Sequence, residues 1–354
     1  MYLGTLGYSE DDGTLISFGI DWRRPLDFNI AQLQAKIEGA LARTGETAVD
    51  IVAHSHGGLV ARKYMQKFGG GHVQNLITFG TPHKGMLETF KALCEGIELF
   101  GFSQSHIMKV ARTFPSAYEL LPVDPGDGMF EAGGSPADPF ATNGWATGGI
   151  SKPMLQDASA SVQSLDTKLP VKTTLIAGTH RSTWSLAQAN GASKVKFTQR
   201  DDGDGTVPSI SASGAALTSD RGVSRFVIPY GVHSQLFDYP EARRLLKNTL
   251  LPRPMSHFSI GLESPTYVPG KTFGVGVDIR DSAGNVPADA TAQITIKGAG
   301  TKTFTLPRTR DDFFARLPMP GTPVHLQYRV EVSAPSLGET FGAQVGVIFA
   351  ANHS

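Results

Sequence analysis

The chain has 354 residues, and its 32 basic and 32 acidic side chains leave no formal net charge. That balance excludes a basic nucleic-acid-binding surface and an acidic tail as organising features. Apolar residues make up 40% of the sequence and charged residues 18%, which is enough for a substantial core in two domains or in one large domain with an appendage. Cys94 is the only cysteine, so an internal disulfide is excluded.

No apolar run approaches the ~18 residues that a membrane span requires. The N-terminus lacks the basic and apolar regions of a signal peptide. We therefore expect a soluble chain, cytoplasmic by default and secreted if the N-terminus is truncated. Neither the compartment nor the oligomeric state follows from the sequence.

Through residue 252, short apolar runs alternate with helical patterns. The first segments predict a strand over 14–20, a helix over 30–42, a buried strand over 48–53 and a helix over 59–68. Later segments predict strands over 76–79, 172–177 and 226–229 and a helix over 235–250. Strands separated by helices are typical of a mostly parallel α/β sheet.

Two further regions differ from this alternation. Residues 86–168 carry two helical patterns and a stretch rich in Pro and Gly, which is the expected form of a helical cap inserted into the sheet. After Pro252 and Pro254 the helical period disappears, and apolar residues alternate with period two. We therefore predict a first domain over 1–252 and an all-β sandwich over 255–354, with an immunoglobulin-like arrangement as one option. We expect the sandwich to contribute nothing to catalysis.

A candidate nucleophile stands where a buried strand runs directly into a helix, in the sequence AVDIVAHSHGG at 48–58. A serine in such a sharp turn needs small residues two positions before and after it, and Ala53 and Gly57 flank Ser55 in this way. Without this strand and helix, a serine with a glycine two residues later would be weak evidence for a nucleophile. The context favours a nucleophile elbow over an ordinary turn serine.

A serine hydroxyl needs a base to take its proton and a carboxylate to orient that base. In an α/β-hydrolase sheet these follow in the order Ser, Asp, His, each after a later strand. The sequence RDDGDGTVP at 200–208, in a predicted loop, supplies Asp201, Asp202 and Asp204. The run FVIPYGVH at 226–233 places His233 after a strand. His180 comes too early and His257 lies beyond the linker.

Two metal sites that the sequence could suggest have less support than the serine nucleophile. The acidic run resembles a calcium loop, but its fifth position would be Thr206 and no bidentate Glu follows. His54 and His56, two residues apart at a strand end, are too few on their own to indicate a metal site. We expect no metal and no cofactor. The backbone N–H of His56, directly after the nucleophile, is instead a candidate oxyanion donor.

These residues together resemble the lecithin:cholesterol acyltransferase-like lipases of the α/β-hydrolase superfamily, over about 14–250. The resemblance rests on AHSHGG, on GDGTVP at 203–208, on the late His233 and on FGTPHKG at 79–85. Asp21, Trp22 and Arg23 match the family's DWR signature, and RTFPSAYELLP at 112–122 is similar to its cap motif. The resemblance implies Ser55 as nucleophile, Asp204 as acid and His233 as base, acting on ester-linked acyl chains. Asp21, Trp22 and Arg23 are expected to brace the sheet rather than contact substrate.

One departure from the family concerns the strand that normally precedes the DWR segment and whose following loop supplies the second oxyanion N–H. Nothing upstream of residue 14 can form it, so the N-terminal strands are expected to be missing, either because the chain is truncated or because other strands close the gap.

The leading hypothesis is a serine lipase, phospholipase or O-acyltransferase whose substrate is a lipid or another ester, with possible lipid-surface contact through the cap. The alternatives are a non-catalytic hydrolase-derived scaffold or binding module and a carboxylesterase or amidase acting on soluble substrates.

Overall fold

The computed structural model describes residues 2–350 apart from 99–100, 142–144, 146–147, 191–193, 251–256, 265, 282–283, 311 and 336–338. The predicted linker around Pro252 and Pro254 lies outside the described residues. The α-helices are, in chain order, α1 (Leu26–Thr44), α2 (His56–Phe68), α3 (Leu87–Cys94), α4 (Gln104–Ala111), α5 (Pro115–Glu119), α6 (Lys152–Val162), α7 (Ser209–Ala212) and α8 (Pro240–Leu250). Short 3₁₀ helices cover Tyr2–Leu6, Pro125–Asp127 and His233–Asp238.

Strands precede and follow the linker. Those before it are β1 (Val49–His54), β2 (Val73–Phe79), β3 (Phe130–Ala132), β4 (Ser135–Pro136), β5 (Lys168–Leu169), β6 (Lys172–Thr179), β7 (Arg181–Ala189), β8 (Val195–Gly203), β9 (Thr218–Ser219) and β10 (Val223–Pro229). Those after it are β11 (His257–Leu262), β12 (Thr266–Tyr267), β13 (Thr272–Arg280), β14 (Thr291–Gly298), β15 (Gly300–Leu306), β16 (Phe313–Pro318), β17 (Leu326–Ala334) and β18 (Glu339–Ala350).

The central sheet is fully parallel and has the order β1-β2-β6-β10. Its strands are joined by helical crossovers, and helix α2 follows β1 directly. Parallel strands open their carboxyl ends at one edge of the sheet, so the loops after β1 and β10 can meet there. The predicted α/β-hydrolase-type architecture is confirmed for this part of the chain.

The N-terminal strand predicted over 14–20 is wrong, because these residues form no strand. Phe18 and Ile20 nevertheless pack against the main core, which explains their apolar alternation. Strand β1 therefore lies at the edge of the central sheet among the described strands, and Val52 on it is 37% exposed. An extended segment becomes a strand only when a neighbour pairs with its backbone, and apolar spacing does not report such a neighbour.

The segment between β2 and β6, for which a cap insertion over 86–168 is predicted, contains helices α3 to α6 and is called the cap below. It also carries β3 and β4, which join a long hairpin, β7–β8, in a second sheet of order β4-β3-β7-β8. The sequence did not indicate this hairpin. Phe90 of α3 packs edge-to-face on Phe130, Trp145 and Phe197, so the cap and the hairpin share one aromatic core.

The C-terminal part is a two-sheet β-sandwich, as predicted. One sheet has the order β11-β13-β16 and the other β12-β18-β17-β14-β15, and a separate apolar cluster fills the space between them. Its members include Val275, Ile294 and Val330, which are fully buried. Among the described residues, no helix combines the length and apolarity of a membrane span.

Candidate active site

Ser55 stands between strand β1 and helix α2 in a backbone conformation that L-residues rarely adopt, with φ 52° and ψ −128°. Such strain persists only where the surrounding structure holds it, and it is typical of a nucleophile elbow. The buried Ala53 lies beside Gly57, and a Cβ added at Gly57 would be in ordinary van der Waals contact with the Ala53 Cβ at 3.8 Å. The Thr81 hydroxyl donates to the Ser55 carbonyl at 2.8 Å and braces the turn from the next strand.

His233 lies within hydrogen-bond distance of both other predicted residues. Its Nε2 is 2.9 Å from Ser55 Oγ, and its Nδ1 is 2.8 Å from Asp204 Oδ2. Because a carboxylate only accepts, Nδ1 carries the proton, and Nε2 is left as the acceptor for the serine hydroxyl. Ser55, Asp204 and His233 thus converge, although long stretches of sequence separate them.

Asp204 is 1% exposed, and its carboxylate is held by backbone groups. Its Oδ1 accepts from the N–H groups of Thr206 at 3.0 Å and Val207 at 2.7 Å, and Oδ2 remains for the histidine. These bonds fix the carboxylate where it can orient the imidazole. The GDGTVP sequence supplies them because the chain turns back immediately after the aspartate.

The two other aspartates of the acidic run have different partners. Asp202 accepts from the Ser185 hydroxyl of β7, and Asp201 forms a long ion pair with Arg316 of the sandwich at 3.7 Å. The sequence placed residues 200–203 in a loop, and this is wrong, because they continue β8 up to Gly203. Because Asp201 and Asp202 belong to β8, which pairs with β7, they have partners other than His233. Asp204 follows the end of β8 and reaches His233.

His54 is a site residue that the sequence reasoning missed. Its Nε2 lies 2.8 Å from the backbone carbonyl of His233, so Nε2 carries the proton and donates. Burial is the main cause that lowers the pKa of His54, which keeps its ring neutral. The His233 N–H donates to the Asp204 carbonyl at 3.0 Å, and the base is therefore held at both of its backbone polar groups.

Gly80, directly after β2, gives the Asp204–His233 pair room to form. It has φ 57°, and a Cβ added there would lie 2.9 Å from both Asp204 Oδ2 and His233 Nδ1. Any side chain at this position would push into the hydrogen bond that orients the base. The glycine of FGTPHKG is thus required by the site behind the strand.

His56 begins α2, with its backbone N–H at the helix N-terminus beside Ser55. The first N–H groups of a helix have no intrahelical acceptor, and the helix dipole favours negative charge there. Its ring is almost fully buried, neither ring nitrogen has a hydrogen-bond partner among the described residues, and burial lowers its pKa to about 4. In the part of the chain that the structure describes, no group of three or more His, Cys, Asp or Glu side chains is arranged to hold a metal ion.

The cap contributes a second carboxylate to the neighbourhood of the site, which the sequence reasoning also missed. Glu88 on α3 lies near the Thr206 side chain and interacts electrostatically with His233 and Asp204. Burial raises its pKa, the positive charge of a protonated His233 would lower it, and the negative charge of Asp204 raises it further. On the open side, Phe237 is 43% exposed and meets the His54 ring edge-on at 5.6 Å.

Asp21, Trp22 and Arg23 hold the loop before α1 to its surroundings. Asp21 pairs with Arg23 at 2.9 Å, and its backbone N–H donates to Asn29 Oδ1 at 2.9 Å. Trp22 is 59% exposed and lies edge-on against Phe114 of the cap at 5.3 Å. These contacts are those of a brace between α1 and the cap.

The sandwich contacts the backbone that leads into His233. A Cβ added at Gly261 of β11 would lie 2.0 Å from the Pro229 carbonyl oxygen, and one added at Gly276 of β13 would lie 2.5 Å from Pro229 Cβ. Tyr230 follows with φ 57°, and its carbonyl accepts from Arg181 Nε at 2.8 Å. His180, which the sequence analysis considered as an alternative base to His233, pairs through its ring with Asp312 of the sandwich at 2.7 Å.

Comparisons with known proteins agree with this architecture. The sequence profile of the lecithin:cholesterol acyltransferase family matches residues 1–143. Phospholipase A(1) LCAT3 from Arabidopsis thaliana is 31% identical over 121 residues, which cover 30% of this chain and 27% of that protein. A triacylglycerol lipase from Pseudarthrobacter phenanthrenivorans is 43% identical over 54 residues, 15% of this chain and 17% of that protein. The chain therefore spans less than a third of the length of these relatives, and the expected resemblance is confirmed over its N-terminal part.

Two solved structures overlap with a larger share of the chain at low identity. The Tle4–Tli4 complex has a TM-score of 0.47 and 14% identity, with 65% of this chain and 66% of that chain covered. An α/β hydrolase fold protein from Chitinophaga pinensis has a TM-score of 0.30 and 15% identity, with 63% and 72% covered.

Proposed function

We propose that the chain is a serine-dependent hydrolase or O-acyltransferase of lipid acyl esters that works through an acyl-enzyme. The observation that carries the proposal is the pair of hydrogen bonds that join Ser55, at a strained elbow, to His233 and then to Asp204. The lipid substrate is supported by the resemblance of residues 1–143 to lecithin:cholesterol acyltransferase-like proteins.

In the first half of the reaction, His233 Nε2 takes the proton of the Ser55 hydroxyl as its oxygen attacks the ester carbonyl carbon. The negative charge that develops on the carbonyl oxygen is stabilised by the backbone N–H of His56 at the start of α2. Asp204 stabilises the imidazolium without taking its proton. His233 then gives the proton to the leaving alcohol, and the acyl group remains on Ser55.

In the second half, water or the hydroxyl of a second lipid attacks the acyl-enzyme, and His233 takes the proton of the attacking group. The acid or the new ester leaves, and the proton returns to Ser55. Which acceptor is used decides between hydrolase and acyltransferase. Phe237, 43% exposed beside the His54 ring, offers an apolar contact next to the site that suits an acyl chain.

Labelling of the intact protein with a fluorophosphonate probe tests the nucleophile. We expect one adduct, on Ser55 by peptide mass spectrometry, and none in the Ser55→Ala variant. A folded wild-type protein that resists the probe would contradict the proposal and favour the scaffold alternative.

Hydrolysis of p-nitrophenyl esters of increasing acyl length tests the substrate class. Activity that rises toward long chains supports a lipid substrate, whereas activity confined to acetate or butyrate supports a carboxylesterase. Addition of a long-chain alcohol to the same assay separates the acceptors, because an acyltransferase yields the new ester at the expense of free acid.

A further inference from the structure

A polar cavity of about 420 Å³ lies at the junction between the first domain and the sandwich. The first domain lines it with residues of β8, α7 and β10, and the sandwich lines it with Arg280 at the end of β13 and with Arg310. The two domains meet beside it, where the Val227 N–H donates to the Asp278 carboxylate at 3.3 Å. This cavity is separate from the hydrogen-bonded chain of Ser55, His233 and Asp204.

The charged lining is strongly one-sided. Four guanidinium groups, those of Arg200, Arg225, Arg280 and Arg310, face a single carboxylate, that of Asp202. Asp202 is itself engaged by the Ser185 hydroxyl. Asp278 pairs with Arg280 outside the lining, so the net excess is two positive charges, and because the whole chain has no formal net charge this excess is a local feature.

Arg225 is fixed in the cavity wall by backbone groups. Its Nε donates to the Ser213 carbonyl at 3.0 Å, and its Nη2 donates to the carbonyls of Gly214 at 3.0 Å and Leu217 at 2.6 Å. These acceptors orient the guanidinium but do not neutralise it, and no carboxylate of the described residues forms an ion pair with it. Within the described part of the chain, its charge is therefore held in place without an ion-pair partner.

Arg280 approaches the same space from the sandwich. Its Nε pairs with Asp278 Oδ1 at 2.6 Å, behind the cavity. The pKa of Arg225 is lowered by burial and then by the positive charge of Arg280, so the two guanidiniums act on each other electrostatically. The two like charges on facing domains repel each other, and Asp278 offsets only that of Arg280, so an anion bound in the cavity would stabilise both guanidiniums.

We propose that this cavity binds a phosphate-type oxyanion, either free phosphate or the phosphate of a lipid headgroup, and that the anion bridges the two domains. Guanidinium forks match the oxygens of such an anion and bind them in pairs. Arg225 and Arg280 form the pre-oriented floor, and the exposed Arg200 and Arg310 close over the ligand at the mouth. The proposal does not depend on the esterase activity.

Thermal unfolding of the full chain in inorganic phosphate, compared with chloride at equal ionic strength, provides the test. A ligand that binds only the folded state raises the Tm, and at several times Kd we expect a saturable rise of about 2–4 °C. The double variant Arg200→Gln/Arg310→Gln changes two exposed side chains, so it should fold and lose this rise. The matched control Arg221→Gln/Lys302→Gln removes two exposed charges elsewhere and should keep it.

Two further ligands distinguish the source of the phosphate. If dihexanoyl phosphatidic acid below its micellar concentration raises the Tm and inorganic phosphate competes with it, the cavity accepts a lipid headgroup. If inorganic phosphate binds and the lipid does not, the ligand is a free phosphate. The proposal is overturned if neither stabilises the protein beyond chloride, or if the double variant responds as the wild type does.

Discussion

Replacing Gly261 by alanine tests whether the sandwich locates the proposed base. The added Cβ would lie 2.0 Å from the Pro229 carbonyl oxygen, whereas real Cβ atoms essentially never come closer than 3.0 Å, so one backbone must move by about 1 Å. The contacted atoms belong to Pro229, in the segment that leads to His233. The Nε2 atom of His233 is 2.9 Å from Ser55 Oγ. An extra ~1 Å takes this pair beyond hydrogen-bond reach.

Misplacement of a reacting group by ~1 Å costs about 10²-fold in rate, or ~2.7 kcal/mol of activation free energy. We therefore expect Gly261→Ala to lower kcat for ester hydrolysis about 100-fold. KM should change little, because the substitution is made on the sandwich and leaves the cap untouched. The rate of fluorophosphonate labelling at Ser55 should fall in parallel.

Gly321→Ala is the matched control in the same domain, since a Cβ added there meets no atom within 4 Å. Overpacking typically costs 1–3 kcal/mol, so the Tm of both variants must be measured alongside kcat to show that each remains folded. Wild-type kcat in a folded Gly261→Ala protein would refute the reasoning. It would mean that the sandwich yields to the new methyl group, and that the sequence-based expectation of a sandwich without influence on catalysis is right.

Three further predictions concern individual residues. Asp204→Asn should lower kcat about 10⁴-fold because the imidazole loses its correct tautomer, whereas Asp202→Asn, measured in the same assay, should stay near wild type. His54→Phe removes one hydrogen bond to the His233 carbonyl, worth about 1 kcal/mol, and should lower kcat about fivefold with little effect on the Tm. The pKa of His56 is about 4 in the fold against 6.5 unfolded, so the unfolded chain binds a proton that the native chain does not, and stability falls as the pH drops through this window. Urea unfolding should show a loss of about 2–3 kcal/mol from this group between pH 7.5 and 4.5, and His56→Leu, which keeps the backbone donor, should lack it.

Several features of the fold and site follow from short-range steric rules and could be predicted from the sequence. The elbow around Ser55 depends on small residues two positions to either side, and the order of strand, turn and helix is visible within eleven residues. The order of Ser55, Asp204 and His233 follows from where each comes relative to the predicted strands. The period-two alternation after residue 254 likewise reports a sandwich, because one face of each strand is buried.

The tertiary structure decided the features that depend on partners distant in sequence. Residues 14–20 have the apolar spacing of a strand but no pairing neighbour, and β8 extends through Asp202 because β7 pairs with it. His54 acts on the His233 carbonyl across the sheet edge, and Gly261 makes room for Pro229 from another domain. Hydrogen bonding between strands and contact between domains are set by which segments meet after folding, and the spacing of residues along the chain does not carry that information.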